Sequence, residues 1–291
     1  MNVSFDELAG ARRTAMRCAE IFRLPFGRSS WRGAAGNWAG AGVGSSIDFQ
    51  DHRPYVPGDD PRYIDWHAYA RSDHYVMKLY REEVSPAVDL VFDASSSMAA
   101  TAAKKRRSLE LIYFVATSAL AAGAALRPWL LTGSGAVRCE TESILEDTSW
   151  LAHGVDRVDT SLLREVDLRP GSLRVLVSDC LFPGEPEPAV TALVSSKGRG
   201  VVLAPTCTEE SAPAWRGQLE LEDCETGARR VELVDDARLT SYRASYRRHF
   251  QFWERSCRRR AVAFARIPAE LDLSEALRAH ALGVRAVEPA A

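Results

Sequence analysis

The 291-residue chain has few cysteines, and they form no pattern: Cys18, Cys139, Cys180, Cys207, Cys224 and Cys257 are scattered, with no C-x-x-C pair. Neither a disulfide framework nor a structural zinc site is expected, and a reducing, cytoplasmic setting fits best. No apolar run approaches the roughly 20 residues that cross a bilayer, so no membrane span is expected. Residues Met1 to Glu7 lack a basic segment followed by an apolar stretch, so no secretory signal is expected. Neither sign of charge is in excess: 37 Lys and Arg face 39 Asp and Glu, a formal net charge of −2. That balance disfavours a general nucleic-acid binder, though not a local basic patch. The motifs of several enzyme classes are missing too. There is no H-E-x-x-H and no G-x-S-x-G elbow. The glycines from Gly36 to Gly44 follow no strand and lead to no G-K-[ST], so they read as a flexible loop rather than a phosphate cradle.

What is present is an alternation of strands and helices. Ser4 and Glu7 form a capping box, which predicts a helix to about Phe22 with Leu8, Ala11, Ala15, Ala19 and Phe22 on one face. Residues 27–46, rich in Gly, Ser and Ala, read as a loop. Residues 47–71 are dense in Asp, His, Arg, Pro and aromatics and read as ordered but irregular. Strands are predicted at 76–80, 87–92, 128–132, 173–178, 201–204 and 261–267. Helices are predicted at 104–126, 160–166, 188–196, 236–260 and 274–282. Strands alternating with helices give an α/β fold with a mainly parallel sheet flanked by helices. The division expected is an N-terminal extension over 1–80 and the α/β domain over 81–291.

The sharpest chemical motif follows the strand 87–92. Asp93, Ser95 and Ser97 spell D-x-S-x-S, and ligands of parallel α/β sheets bind beyond the carboxyl ends of strands. Carboxylate and hydroxyl oxygens are hard donors suited to Mg²⁺. Asp179 closes a second strand, and Thr160 precedes a short helix, so both can reach the same rim. By chance, roughly one chain in ten of this length carries D-x-S-x-S. Its position gives it weight, against the plainer reading that the serines only cap a helix.

A longer signature surrounds it. Asp48 to Trp66 reads D-F-Q-D-H-R-P-Y-V-P-G-D-D-P-R-Y-I-D-W, followed by Ala70-Arg71, a strand at Tyr75–Tyr80, Glu82-Glu83 and then Asp93 to Met98. Further on stands Leu221-Glu222-Asp223-Cys224-Glu225-Thr226-Gly227. These segments resemble the von Willebrand factor A-like proteins of the domain of unknown function 58 family. One departure is His67, where the family usually has Lys. The resemblance implies a von Willebrand factor A-like fold with a metal-ion-dependent adhesion site. In that site Asp93, Ser95, Ser97, Thr160 and Asp179 hold Mg²⁺ or Mn²⁺, and a partner's carboxylate completes the coordination. It also implies a MoxR-type AAA+ ATPase as partner, with this chain acting as adaptor or co-chaperone on a client protein, without catalysis of its own.

Two rival readings come from other classes. Asp48, Asp51, His52, Asp59, Asp60, Asp65, His67, Asp73 and His74 could build the metal centre of a hydrolase within 48–74. The structural alternative is that these carboxylates cap turns and pair with Arg53, Arg62 and Arg71. The other rival is a scaffold whose site holds no ion. The basic runs Lys104–Arg107 and Arg258–Arg260 read as solvated helix ends rather than phosphate-binding patches. Tyr242, Tyr246, Phe250 and Trp253 recur at helical spacing and read as a face packed on the sheet rather than a stacking surface for bases.

Overall fold

The computed structural model describes residues 4–26, 38–43, 49–146, 158–182 and 184–290. They form two compact units, one of Met1–Pro25 with Ala87–Ala291 and one of Phe26–Pro86. The expected boundary at 80/81 differs from this division. Helix α1 (Phe5–Ile21) belongs with the larger unit, because its buried stripe of Leu8, Ala11, Ala15 and Cys18 packs on that unit's central helix. The capping box is formed: the Ser4 N–H donates to Glu7 Oε2 at 2.8 Å, and the Glu7 N–H donates to Ser4 Oγ at 3.3 Å.

Strand β1 (Phe22–Arg23) follows α1, and the chain then enters the smaller unit. There β2 (Trp38–Val43), β3 (Phe49–Pro54), α2 (Trp66–Ser72) and β4 (Val76–Val84) are laid down in order. The three strands form an antiparallel sheet in the order β2-β4-β3. Strand β2 falls inside the stretch expected to be a loop. Its Gly- and Ala-rich composition gives no local strand signal, and pairing with β4, with Trp38 opposite Val84, makes it a strand. Residues 49–54 and 66–72 are likewise more regular than expected.

The larger unit resumes with β5 (Ala87–Asp93), α3 (Ala102–Ala121), β6 (Ala125–Thr132), β7 (Gly135–Arg138) and α4 (Thr141–Glu146). It continues with β8 (Leu173–Val177), α5 (Glu187–Val194), β9 (Arg199–Thr206) and α6 (Thr208–Ser211). The hairpin strands β10 (Gly217–Glu222) and β11 (Arg229–Val234) come next, then α7 (Asp236–Arg259) and β12 (Ala263–Pro268). Helix α8 (Leu273–Ala276) and β13 (Glu288–Pro289) complete the unit. Six strands form one sheet in the order β12-β9-β8-β5-β6-β7, parallel except for the antiparallel edge strand β7.

Near-continuous apolar runs put β5 and β8 at the centre, where strands are buried on both faces. Val91, Leu176 and Val202 face α5 and α7, whose Val190, Leu193, Phe250 and Trp253 share their core. Helix α3 covers the opposite face and is itself buried from Leu109 to Ala116. It stops at Ala121, short of the expected Leu126. Gly123, at φ +66°, takes the left-handed turn, and the Ala124 N–H returns to Ala119 O at 2.9 Å, freeing Ala125 to start β6. Strand β5 connects through α3 to β6 on one side, while β8 lies on its other side. The ends of β5 and β8 therefore flank the point where the winding of the sheet reverses.

Candidate metal centre

Asp93 is the last residue of β5 and has no exposed surface. Its Oδ1 accepts the Ser95 N–H at 2.9 Å, which turns the chain sharply out of the strand. Its Oδ2 accepts the Ser178 hydroxyl at 2.7 Å across the neighbouring end of β8. The Ser95 and Ser97 hydroxyl oxygens lie 3.1 Å apart on the loop and the 3-10 turn that follow. Asp179, next after Ser178, is also buried; its Oδ1 accepts the Leu181 N–H at 3.0 Å and its Oδ2 the Lys104 ammonium at 2.7 Å. Four of the five expected residues thus meet at the switch point. Thr160 is buried at the start of the 3-10 turn Thr160–Arg164; the hydrogen bonds that join Asp93, Ser95 and Ser97 do not reach it, and Asp179 stands beside them as the neighbour of Ser178.

Burial, and then the neighbouring Asp179 charge, push the Asp93 carboxyl up to about 7. Burial pulls the Lys104 ammonium down, but Asp179 and Glu210 outweigh it and hold its pKa above the ordinary lysine value. Glu210, on α6, shares the Lys104 ammonium with Asp179 and accepts the Cys207 N–H on its other oxygen at 3.1 Å. At the rim, the hairpin tip brings in Glu225, whose Oε2 accepts the Ser96 N–H at 3.1 Å and whose Oε1 accepts the Ser97 N–H at 2.8 Å.

Residues 51–139 match the family described as Protein of unknown function DUF58. The matched stretch carries Asp93, Ser95, Ser97 and Lys104 and ends before Thr160, Asp179 and Glu225. No curated protein matches the chain. Two solved structures are similar to part of it. One is the conserved hypothetical protein BatB from Bacteroides thetaiotaomicron, at 12% identity over 60% of this chain and 100% of that one, with a TM-score of 0.32. The other is an aerotolerance-related membrane protein from Bacteroides fragilis NCTC 9343 carrying multiple mutations to serines, at 13% identity over the same shares, with a TM-score of 0.31. No described helix of the present chain is long and apolar enough to cross a membrane.

The donor set suits a small hard cation. Mg²⁺ holds oxygens at about 2.0–2.1 Å in an octahedron, which places adjacent ligands about 3 Å apart. The 3.1 Å between the two serine oxygens matches that spacing. The charges agree. Asp93, Asp179, Glu210 and Glu225 bring four carboxylates to this end of the sheet against the one Lys104 ammonium, so a divalent ion offsets part of the remaining charge. Among the described residues, no group of three or more His, Cys, Asp or Glu side chains is placed to hold a metal by itself. Hydroxyl oxygens are therefore an essential part of this candidate.

The carboxylates of the smaller unit are engaged otherwise. Asp48 lies outside the described residues. Asp59 takes a two-pronged bond from Arg53, at 2.7 and 2.6 Å, and its carboxyl is lowered to about 2, chiefly by that bond. Asp60 pairs with Arg62. Asp65 caps α2 through the His67 and Ala68 N–H groups and meets His52 Nε2 at 2.8 Å, which lowers its carboxyl to about 2. These are the turn-capping and pairing roles weighed against a hydrolase centre, except that Arg71 donates to the His67 carbonyl at 3.3 Å rather than to a carboxylate.

Sequence reasoning missed four participants, Lys104, Ser178, Glu210 and Glu225. Lys104 was read as part of a solvated run, yet it and Arg107 are buried. A signal was present: cations are disfavoured at a helix N-terminus, so a lysine in the first turn of α3 calls for nearby carboxylates. Ser178 was quoted only as a strand residue. Glu225 stood in a quoted motif, but its hairpin was not expected. Arg258–Arg260 are exposed at the end of α7, and Tyr246, Phe250 and Trp253 are buried against the sheet, whereas Tyr242, expected on the same face, is partly exposed and donates its hydroxyl to Glu210 O at 2.7 Å.

Proposed function

We propose that this chain is a metal-dependent protein-binding module. Its six-stranded sheet is read as a von Willebrand factor A-like domain in which Asp93, Ser95, Ser97, Thr160 and Asp179 hold Mg²⁺ or Mn²⁺. When bound, the ion supplies an open coordination position for a carboxylate from another protein. The observation that carries the reading is the pair of serine hydroxyls 3.1 Å apart beside two buried carboxylates at adjacent strand ends. The chain's own residues prepare the site. Ser178 orients Asp93, Lys104 pairs with Asp179 and fixes its position, and the Ser95 N–H fixes the turn that aims both hydroxyls. The partner in this reading is a MoxR-type AAA+ ATPase, with the chain as adaptor or co-chaperone for a client; this part rests on the signature segment.

Mn²⁺ binding followed by electron paramagnetic resonance tests it, with wild type, Ser97→Ala and Asp93→Ala. One ion per chain in wild type, weakened about tenfold or more by Ser97→Ala at unchanged thermal stability, is expected. Capture of the ATPase in Mg²⁺ and its loss in EDTA is expected alongside. Binding that ignores both substitutions places the ion elsewhere and overturns the reading.

A further inference from the structure

The Glu225 carboxylate sits on the D-x-S-x-S loop although it is 128 residues away in sequence from Ser97. Both its oxygens are used, one on the Ser96 N–H and one on the Ser97 N–H. Two successive backbone N–H groups make a small anion-binding concavity. Ser97 is also the residue whose hydroxyl points toward Ser95, so the anion position adjoins the hydroxyl pair.

The tip that presents Glu225 is braced. The Asp223 carboxylate accepts the Glu225 and Thr226 N–H groups at 2.9 and 3.2 Å, and Gly227 turns the chain back at φ +68°. The rest of the hairpin is held to α7 at its far end, where Glu232 pairs with Arg238. Strands β10 and β11 pair with each other, and neither is joined to another strand among the described residues. A cavity of about 560 Å³ opens between the hairpin and α7, lined by Leu221, Val234, Leu239 and Tyr242 among others. Swinging the tip away, with the Glu232–Arg238 pair as its anchor, therefore breaks two hydrogen bonds at the loop without breaking a sheet ladder.

We infer that Glu225 is a built-in carboxylate occupying the position at the D-x-S-x-S site that a partner's acidic side chain takes, so that the hairpin and the partner compete. The inference rests on the metal-site reading above. It names the partner's contact group as an Asp or Glu side chain presented on an exposed turn, as Glu225 is. Binding requires the hairpin tip to leave the Ser96 and Ser97 N–H groups.

Fluoroacetate is a suitable free carboxylate probe, its ¹⁹F relaxation reporting approach to Mn²⁺ bound by the full chain. In Glu225→Ala the relaxation gain per bound Mn²⁺ is expected to rise about tenfold over wild type, the shift that removal of a modest competing interaction produces. Amide exchange at Ser96 and Ser97 is expected to quicken in the same variant. Glu222→Ala, a neighbouring hairpin carboxylate paired with Arg229 at the surface, should behave as wild type. Equal relaxation in wild type and Glu225→Ala, with Mn²⁺ bound and sensitive to Ser97→Ala, overturns the inference and leaves the metal site standing. Failure of wild type to bind Mn²⁺ at this site overturns both.

Discussion

Lys104 and Asp179 face each other at 2.7 Å with side chains 0% and 2% exposed, one from the first turn of a helix and the other from the end of a strand. A bond between two charges so far from water is costly to break from one side, because the partner left behind is buried alone. Lys104→Met therefore leaves Asp179 and Glu210 without their shared ammonium. The expected loss is about 3–5 kcal/mol in denaturant unfolding, the range for one-sided deletion of a buried pair. Added Mn²⁺ should recover part of it by binding the folded form. An unaltered unfolding midpoint would sink the prediction.

The central strands and Asp93 were legible because apolar runs between turn residues mark buried strands, and a polar residue ending such a run marks its carboxyl end. Asp179 was legible for the same reason. Lys104 was not, since a basic run has the same composition whether it meets water or buried carboxylates. Glu225 was not, since it reaches the loop through a hairpin with no single apolar face: Leu219 and Leu221 stand opposite Glu232 and Arg230, while Val231 and Leu233 are largely exposed on the other face. Strand β2 escaped because its pairing, not its residues, makes it a strand.

The Asp93 carboxyl, raised to about 7 by burial and by Asp179, sets the pH dependence of ion binding. A raised carboxyl keeps its proton longer in the folded state, and an ion must displace that proton. Mn²⁺ affinity should climb about tenfold per pH unit below 7 and level off above it. The same linkage in the ion-free chain makes ionisation of Asp93 a cost that grows from the ordinary carboxyl range up to about 7. A titration of Mn²⁺ affinity from pH 5 to 8 checks this, and a flat profile would contradict it.

In the smaller unit the sign is reversed. Arg53 lowers the Asp59 carboxyl to about 2, so the stability this pair adds is present above the ordinary carboxyl value and fades as pH falls toward 2. Asp59→Asn should open the segment 51–78 to amide exchange at pH 7 and change little near pH 2. A difference of the same size at both pH values would show that the charge is not what matters there.

The pairing of β1 with β13, Phe22 opposite Pro289 and Arg23 opposite Glu288, has a consequence for the order of assembly on the ribosome. The segment that follows the first helix finds its strand partner far along the chain, at Glu288 and Pro289. Until they emerge, α1 can rest on α3, but the stretch beyond it has no ladder to join. The first helix of the larger unit is therefore pinned at its carboxyl end only after translation of Glu288 and Pro289, whatever the rest of the sheet has already achieved.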